Sequence, residues 1–270
     1  MSGAVLARPA AVDDPARWFR TWQPRPQARQ RLICLAHAGG AASFYRSWGA
    51  ALPPSVELVA VQYPGREERI AETPLGNLAD LVERIAGGLE RLPHLLDRPY
   101  ILFGHSMGAV VAHELYLALR RRGRPLPAHL VVSACEGPAR HRPGLLHAGP
   151  DEALKREMFK LGGTNAALAG MTELLDLVLP VMRGDYRAIE THVPAPDRAP
   201  IAAPITAFTG LADTELAPGD AQAWAGETSA AFEQQAFPGG HFYLIEQRDA
   251  VLAALLRRFG ALDGHWPSLP

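Results

Sequence analysis

Three observations in the sequence predict an α/β domain with a mostly parallel central sheet and helices on both faces. Short apolar runs alternate with longer stretches of helical periodicity over most of the 270 residues, the rhythm of strands joined by crossover helices. The apolar runs at 31–36, 56–61 and 130–135 are nearly continuous rather than alternating, as in strands buried on both faces. Before residue 104, a further such run passes through a glycine-bounded turn straight into a helical pattern.

Taken in order, residues 1–30 are rich in Ala, Arg and Pro and read as an N-terminal extension; residues 18–22 form a short strand or a tethered segment, with Trp18 and Trp22 packed on the body. The strand at 31–36 is followed by a loop of small residues, His37-Ala38-Gly39-Gly40, and a helix over 44–52 that ends at Pro53 and Pro54. The strand at 56–61 leads into a turn at 63–69. Residues 75–92 place Leu78, Leu81, Val82, Ile85, Leu89 and Leu92 on one helical face. A strand at 101–103 and a helix at 107–122 come next, the helix stopped by Gly123 and Pro125. Strands at 130–135, 205–209 and 231–237 and a closing helix at 247–259 complete the pattern.

Residues 137–204 break the rhythm. They hold helical stretches at 152–161 and 172–189, with Pro180 inside the second, and Pro-rich flanks, but no strand. The segment reads as a helical lid inserted between two strands, lying over the carboxyl edge of the sheet, where sites in this architecture form. Residues 31–136 and 205–262 then make the core.

Bulk properties exclude several classes. A net charge of −1 implies no nucleic-acid partner. No apolar run reaches membrane-spanning length and no signal-peptide pattern opens the chain, so a soluble cytoplasmic protein is expected, without membrane association. Cys34 and Cys135 sit in apolar runs and read as buried thiols of a reducing compartment. No metal is expected: His113-Glu114 lacks the second His of a metalloprotease helix, and Gly39-Gly40 lacks the Lys-Ser/Thr of a phosphate loop. Arg120, Arg121, Arg122 and Arg124 lie about 22 Å along the helix from Ser106 at 1.5 Å per residue and read as a solvated helix end.

The chemistry concentrates in Gly104-His105-Ser106-Met107-Gly108, a G-x-S-x-G between a strand and a helix. In that context the serine hydroxyl is thrust out at the top of the sheet as a nucleophile. A serine needs a base, and the base needs a carboxylate to orient it. The chain order for this arrangement is Ser, acid, His. Of ten His residues, His241 in Gly239-Gly240-His241-Phe242 follows the last strand and selects itself by position. Asp213, just past the strand at 205–209, is favoured as the acid over Glu136, which ends the strand at 130–135; Glu215 and Asp220 share the Asp213 loop. The oxyanion of an acyl-transfer intermediate needs two donors: the Met107 N–H after the nucleophile and the Ala38 N–H from the loop after the first central strand.

At this point the sequence resembles a known family, the type II thioesterases that accompany modular polyketide synthases and non-ribosomal peptide synthetases. The resemblance spans about residues 30–260. It rests on Leu35-Ala-His-Ala-Gly-Gly40, Gln62-Tyr-Pro-Gly-Arg66, Phe103-Gly-His-Ser-Met-Gly108, Arg183-Gly-Asp-Tyr186 and Gly239-Gly-His-Phe242, in that order. It implies an α/β-hydrolase fold, a Ser106–Asp213–His241 triad, Ala38 and Met107 as oxyanion donors, and a mobile helical lid. It also implies an acyl carrier protein or peptidyl carrier protein bearing acyl-phosphopantetheine as partner, and no cofactor of the enzyme's own. The chain is read as a monomer. One departure stands out: Ser133-Ala-Cys-Glu-Gly-Pro138 replaces the family's Ser-Gly-Arg followed by Ala-Pro, which puts the carboxylate of Glu136 at an unexpected place. Competing readings are a small-molecule carboxylesterase or acyltransferase of the same fold, and a non-catalytic carrier-protein binding module.

Overall fold

A computed structural model describes residues 14–161 and 172–262. Residues 1–13 of the expected extension and 162–171 of the expected insertion lie outside the described residues. Among the described residues the sheet has seven strands: β1 (Phe19–Arg20), β2 (Gln30–Leu35), β3 (Val56–Val61), β4 (Tyr100–His105), β5 (His129–Ser133), β6 (Ile205–Gly210) and β7 (Phe232–Phe237). Their spatial order is β1-β3-β2-β4-β5-β6-β7. All neighbours are parallel except β1 and β3, where Phe19 faces Val61 and Arg20 faces Ala60.

Every residue of β2, β3 and β4 is buried, which is why their sequences are nearly continuous apolar runs rather than alternating; the buried charges near their amino ends, Arg31 and Glu57, pair with each other at 2.7 Å. The edge strand β7, Phe-Glu-Gln-Gln-Ala-Phe, is exposed or half-buried except at Phe237, and polar at its centre, as an unpaired edge requires. At the other edge, β1 resolves the open reading of residues 18–22: two residues pair with β3, and the fully buried Trp18 ring lies 4.2 Å under the guanidinium carbon of Arg69.

The helices are α1 (Arg46–Ala51), α2 (Leu78–Arg91), α3 (Met107–Arg121), α4 (Asp151–Lys160), α5 (Thr172–Glu190), α6 (Tyr243–Glu246) and α7 (Arg248–Gly260). α2 begins three residues later than the apolar pattern alone implied, because the Asn77 side chain accepts the Asp80 N–H at 3.0 Å and caps it there. α3 is buried on nearly all sides, with apolar residues around its circumference. β5 stops at Ser133, two residues short of the expected strand, because Ala134 turns to φ 50°. The closing helix is preceded by the extra turn α6. The arginines at the end of α3 are not a free patch. Arg121 and Arg122 pair with Glu83, Arg122 and Arg124 with Glu90, and Arg120 donates to the carbonyls of Ala199 and Pro200.

The topology decides where a site can form. The chain leaves β2 for β3 on one side and then crosses back to β4 on the other, so β2 and β4 bound the switch point of the sheet. The loops after these strands carry His37 to Gly40 and Ser106. Cys34 and Cys135 are free and buried, and burial pushes both thiols up, as expected of inert core residues.

Several imidazoles are also buried. Burial lowers His113 and His129 to about 4 and holds His105 well below the ordinary range. His129 is bonded to the Thr206 hydroxyl at 2.8 Å; His113 stands between Glu114 and Glu227 at 3.9 and 3.7 Å, whose charges only partly offset the burial. Unfolded, these groups titrate near 6.5. Below that pH the unfolded chain binds more protons than the folded one, so stability complete above about 6.5 is lost as pH falls toward 4. By pH 5 each of His113 and His129 costs about 2 kcal/mol. The thermal midpoint is therefore expected to drop steeply between pH 7 and pH 5; a flat midpoint over that range would contradict neutral burial of these rings.

Candidate active site

The turn after β4 has the strain that its sequence demands. Ser106 sits at φ 53°, ψ −123°, a region that side chains other than glycine rarely occupy. It is held there by its N–H, which donates to the Ser133 carbonyl at 2.8 Å. Glycine is required on either side because strand and helix nearly touch. A Cβ on Gly104 would lie 2.0 Å from the Gly108 carbonyl oxygen, and one on Gly108 would lie 2.2 Å from that of Leu35. Met107 opens α3, and the first N–H groups of a helix have no partner within it.

His241 and Asp213 meet although they come from loops after different strands. Nδ1 of His241 lies 3.0 Å from Oδ2 of Asp213, with the carboxylate fully buried. The other oxygen, Oδ1, accepts the Glu215 N–H at 3.0 Å. The side chain thus both caps its turn and anchors the imidazole. A proton on Nδ1 facing the carboxylate leaves Nε2 as the basic nitrogen. Ser106, Met107 and His241 line one cavity of about 230 Å³, together with Glu136, His141 and Tyr186. Ala38 is partly exposed in the loop after β2, across the switch point from Ser106.

Glu136 lies in the same cavity but pairs elsewhere, 3.4 Å from Nδ1 of His141. Burial raises its carboxyl, and the bond from His141 with the charges of His141 and Arg142 outweighs this and holds it below the usual range. The carboxylate bonded to His241 is Asp213.

Two features escaped the reading of the sequence. One is a buried chain behind the serine: Nδ1 of His105 is 2.9 Å from the Ser133 hydroxyl, which is 2.7 Å from that of Tyr243. In the sequence His105 is only a variable position of the G-x-S-x-G, and nothing local marks Ser133 or Tyr243 as its partners. The other is the use of the motif at 62–66. The Tyr63 hydroxyl donates to the Ala36 carbonyl at 3.3 Å, and Gln62 accepts the Ala42 N–H at 2.7 Å, so the loop after β3 braces both ends of the loop after β2. A larger cavity, about 400 Å³, is lined by Arg31, Glu57, Asp97 and Arg98, at the amino ends of β2 and β4 and away from these loops. Among the described residues no group of three or more His, Cys, Asp or Glu is placed to hold a metal ion, and no helix is long and apolar enough to cross a membrane.

A mostly parallel sheet with a strained serine between β4 and α3 defines the class: the protein is an α/β-hydrolase. Over residues 30–259 the chain matches the family described as Thioesterase domain. It belongs to that family, and with it to the thioester hydrolases. It is 41% identical over 244 residues to the probable cadicidin biosynthesis thioesterase of Streptomyces griseus, an alignment covering 89% of this chain and 65% of that protein. It is 38% identical over 240 residues to the thioesterase PikA5 of Streptomyces venezuelae, covering 89% of this chain and 84% of that one. Among solved structures, it superposes on the type II thioesterase BorB from the borrelidin biosynthetic cluster with a TM-score of 0.81 at 42% identity, covering 89% of this chain and 97% of that one. The corresponding values for YbtT, the type II thioesterase of the yersiniabactin NRPS/PKS pathway, are 0.80 and 31%, over 90% of this chain and 98% of that one.

Proposed function

We propose that this thioesterase removes acyl groups from the phosphopantetheine arm of acyl or peptidyl carrier proteins, as an editing enzyme of a polyketide or non-ribosomal peptide synthase, working in the cytoplasm as a monomer. The observation that carries the chemistry is the buried Asp213–His241 pair opening onto the cavity that Ser106 lines. The similarity to the thioesterases of cadicidin biosynthesis, of the borrelidin cluster and of the yersiniabactin NRPS/PKS pathway supports the substrate class.

In this reading Ser106 attacks the thioester carbonyl as Nε2 of His241 takes its proton. The tetrahedral oxyanion is held by the N–H groups of Ala38 and Met107. As the C–S bond breaks, His241 returns the proton to the pantetheine sulfur. Water, deprotonated by the same imidazole, then attacks the acyl-enzyme; the acid leaves and Ser106 regains its proton. Asp213 keeps the ring oriented and stabilises the imidazolium in both steps. Residues 137–204 act as a lid over the cavity, α5 supplying Tyr186 and Ile189 to its lining.

A panel of acyl-carrier proteins with acyl groups of varied length, set against free esters of the same acyl groups, tests the assignment. Higher kcat/KM on the carrier-bound thioesters is expected. Faster turnover of the free esters would make the protein a carboxylesterase, acyl transfer to an added alcohol or amine an acyltransferase, and failure of a fluorophosphonate to label Ser106 a non-catalytic binder.

A further inference from the structure

The mechanism above leaves two of the sequence motifs without a task, Arg66 at the end of Gln62-Tyr-Pro-Gly-Arg66 and Asp185 in Arg183-Gly-Asp-Tyr186. The structure brings them together. Asp185 lies on α5, in the insertion, and is 2% exposed; Arg66, in the loop after β3, is 5% exposed. Their side chains form an ion pair through Oδ2 of Asp185. The same oxygen accepts the Gly39 N–H at 2.7 Å. Arg66 spends a second nitrogen on the Pro64 carbonyl at 2.9 Å, and its own carbonyl accepts from Gln62 at 3.1 Å.

Gly39 follows Ala38, the proposed oxyanion donor. The loop therefore has three anchors, Tyr63 at Ala36, Asp185 at Gly39 and Gln62 at Ala42, and the middle one alone comes from the insertion. The Gly40 N–H closes the turn onto the His37 carbonyl at 2.9 Å. With that carbonyl and the Gly39 amide both held, the Ala38 N–H between them has its direction set. α5 also fits closely here: Gly39 is at φ 75°, and a Cβ on it would lie 2.0 Å from the Met182 sulfur.

We propose that Asp185 is a positioning residue: the lid helix α5, through Asp185 and its partner Arg66, sets the oxyanion loop, so that the hole is complete when α5 is seated on the body. This rests on the acyl-transfer reading above. The carboxylate touches no reacting atom; it acts through the peptide that joins Ala38 to Gly39. Its charge is required because one buried oxygen serves both an amide and a guanidinium, and charge-assisted bonds are the stronger kind.

A structural weld between insertion and body would use the same ion pair, and the test must separate the two roles. With an acyl N-acetylcysteamine thioester as substrate, Asp185→Asn is expected to lower kcat about 100-fold, the effect of disabling one oxyanion donor, with KM within about threefold of the parent, since ground-state binding makes no use of the hole. Fluorophosphonate labelling of Ser106 should slow in parallel, because the phosphonyl oxygen occupies the same position. Replacing a buried ion pair by apolar residues restores stability in many proteins, so Arg66→Met/Asp185→Leu is expected to recover the thermal midpoint lost in Asp185→Asn but not its kcat. Recovery of both, or an Asp185→Asn kcat within threefold of the parent, overturns the inference, and the single variant decides if the double does not fold. The two readings fail differently. Parent protein that is not labelled at Ser106 sinks the acyl-transfer mechanism, whereas labelled, active protein indifferent to Asp185→Asn sinks only the positioning role.

Discussion

Ser106→Ala is expected to lower kcat for thioester hydrolysis by about 10⁶-fold, the scale seen when the nucleophile of a serine triad is removed, and to leave the thermal midpoint within a degree or two. The two expectations have separate causes. The hydroxyl is the attacking atom, so without it no acyl-enzyme forms and only the residual effect of the oxyanion donors and binding survives. The fold makes little use of that hydroxyl: Ser106 occupies the position before α3 yet its side chain accepts no capping bond from the helix. The strain at φ 53° belongs to the backbone and is borne by Ala as by Ser. Steady-state kinetics, with mass spectrometry for the acylated chain and a thermal melt, read both sides. Activity within tenfold of the parent would remove Ser106 from the mechanism.

The second large effect separates two carboxylates. Asp213→Asn is expected to reduce kcat by about 10⁴-fold, because an amide donor facing Nδ1 favours the wrong tautomer and supplies no charge to the imidazolium. Glu136→Gln is expected to stay within a few-fold of the parent. Its carboxylate pairs with His141 at 3.4 Å, whereas the bond to His241 at 3.0 Å belongs to the fully buried Asp213. Measuring the two variants side by side on one substrate settles which acid serves the base. The reverse order of severity would move that role to Glu136 in the loop after β5 and recast Asp213 as a turn cap through Oδ1.

The alternation of strands and helices, the strained turn at Ser106 and the loop positions that let His241 meet Asp213 were legible because each leaves a local mark. Strands buried on both faces are apolar along most of their length, as β2, β3 and β4 are, with their buried charges Arg31 and Glu57 paired. A strand that turns straight into a packed helix needs residues without a Cβ at 104 and 108, where the backbones approach to about contact. Chain order then points to the acid and the base, since each loop at the carboxyl edge follows its own strand. Element ends were less legible. The capping bond of Asn77 and the turn at Ala134 depend on side-chain and backbone geometry that periodicity does not carry.

By itself, then, the sequence determined the layered architecture and the loops from which Ser106, Asp213 and His241 project, through steric and hydrophobic demands that act within a few positions of each residue. Only the tertiary structure decided which buried polar groups meet. Arg66 and Asp185 are 119 positions apart, in a chain with 27 Lys and Arg and 28 Asp and Glu, and nothing in their spacing pairs one with the other. The same holds for His105, Ser133 and Tyr243, and for the two residues of β1 that close the far edge of the sheet. A buried charge or hydroxyl must find a partner, but the chain folded in three dimensions, not the distance along it, determines which one.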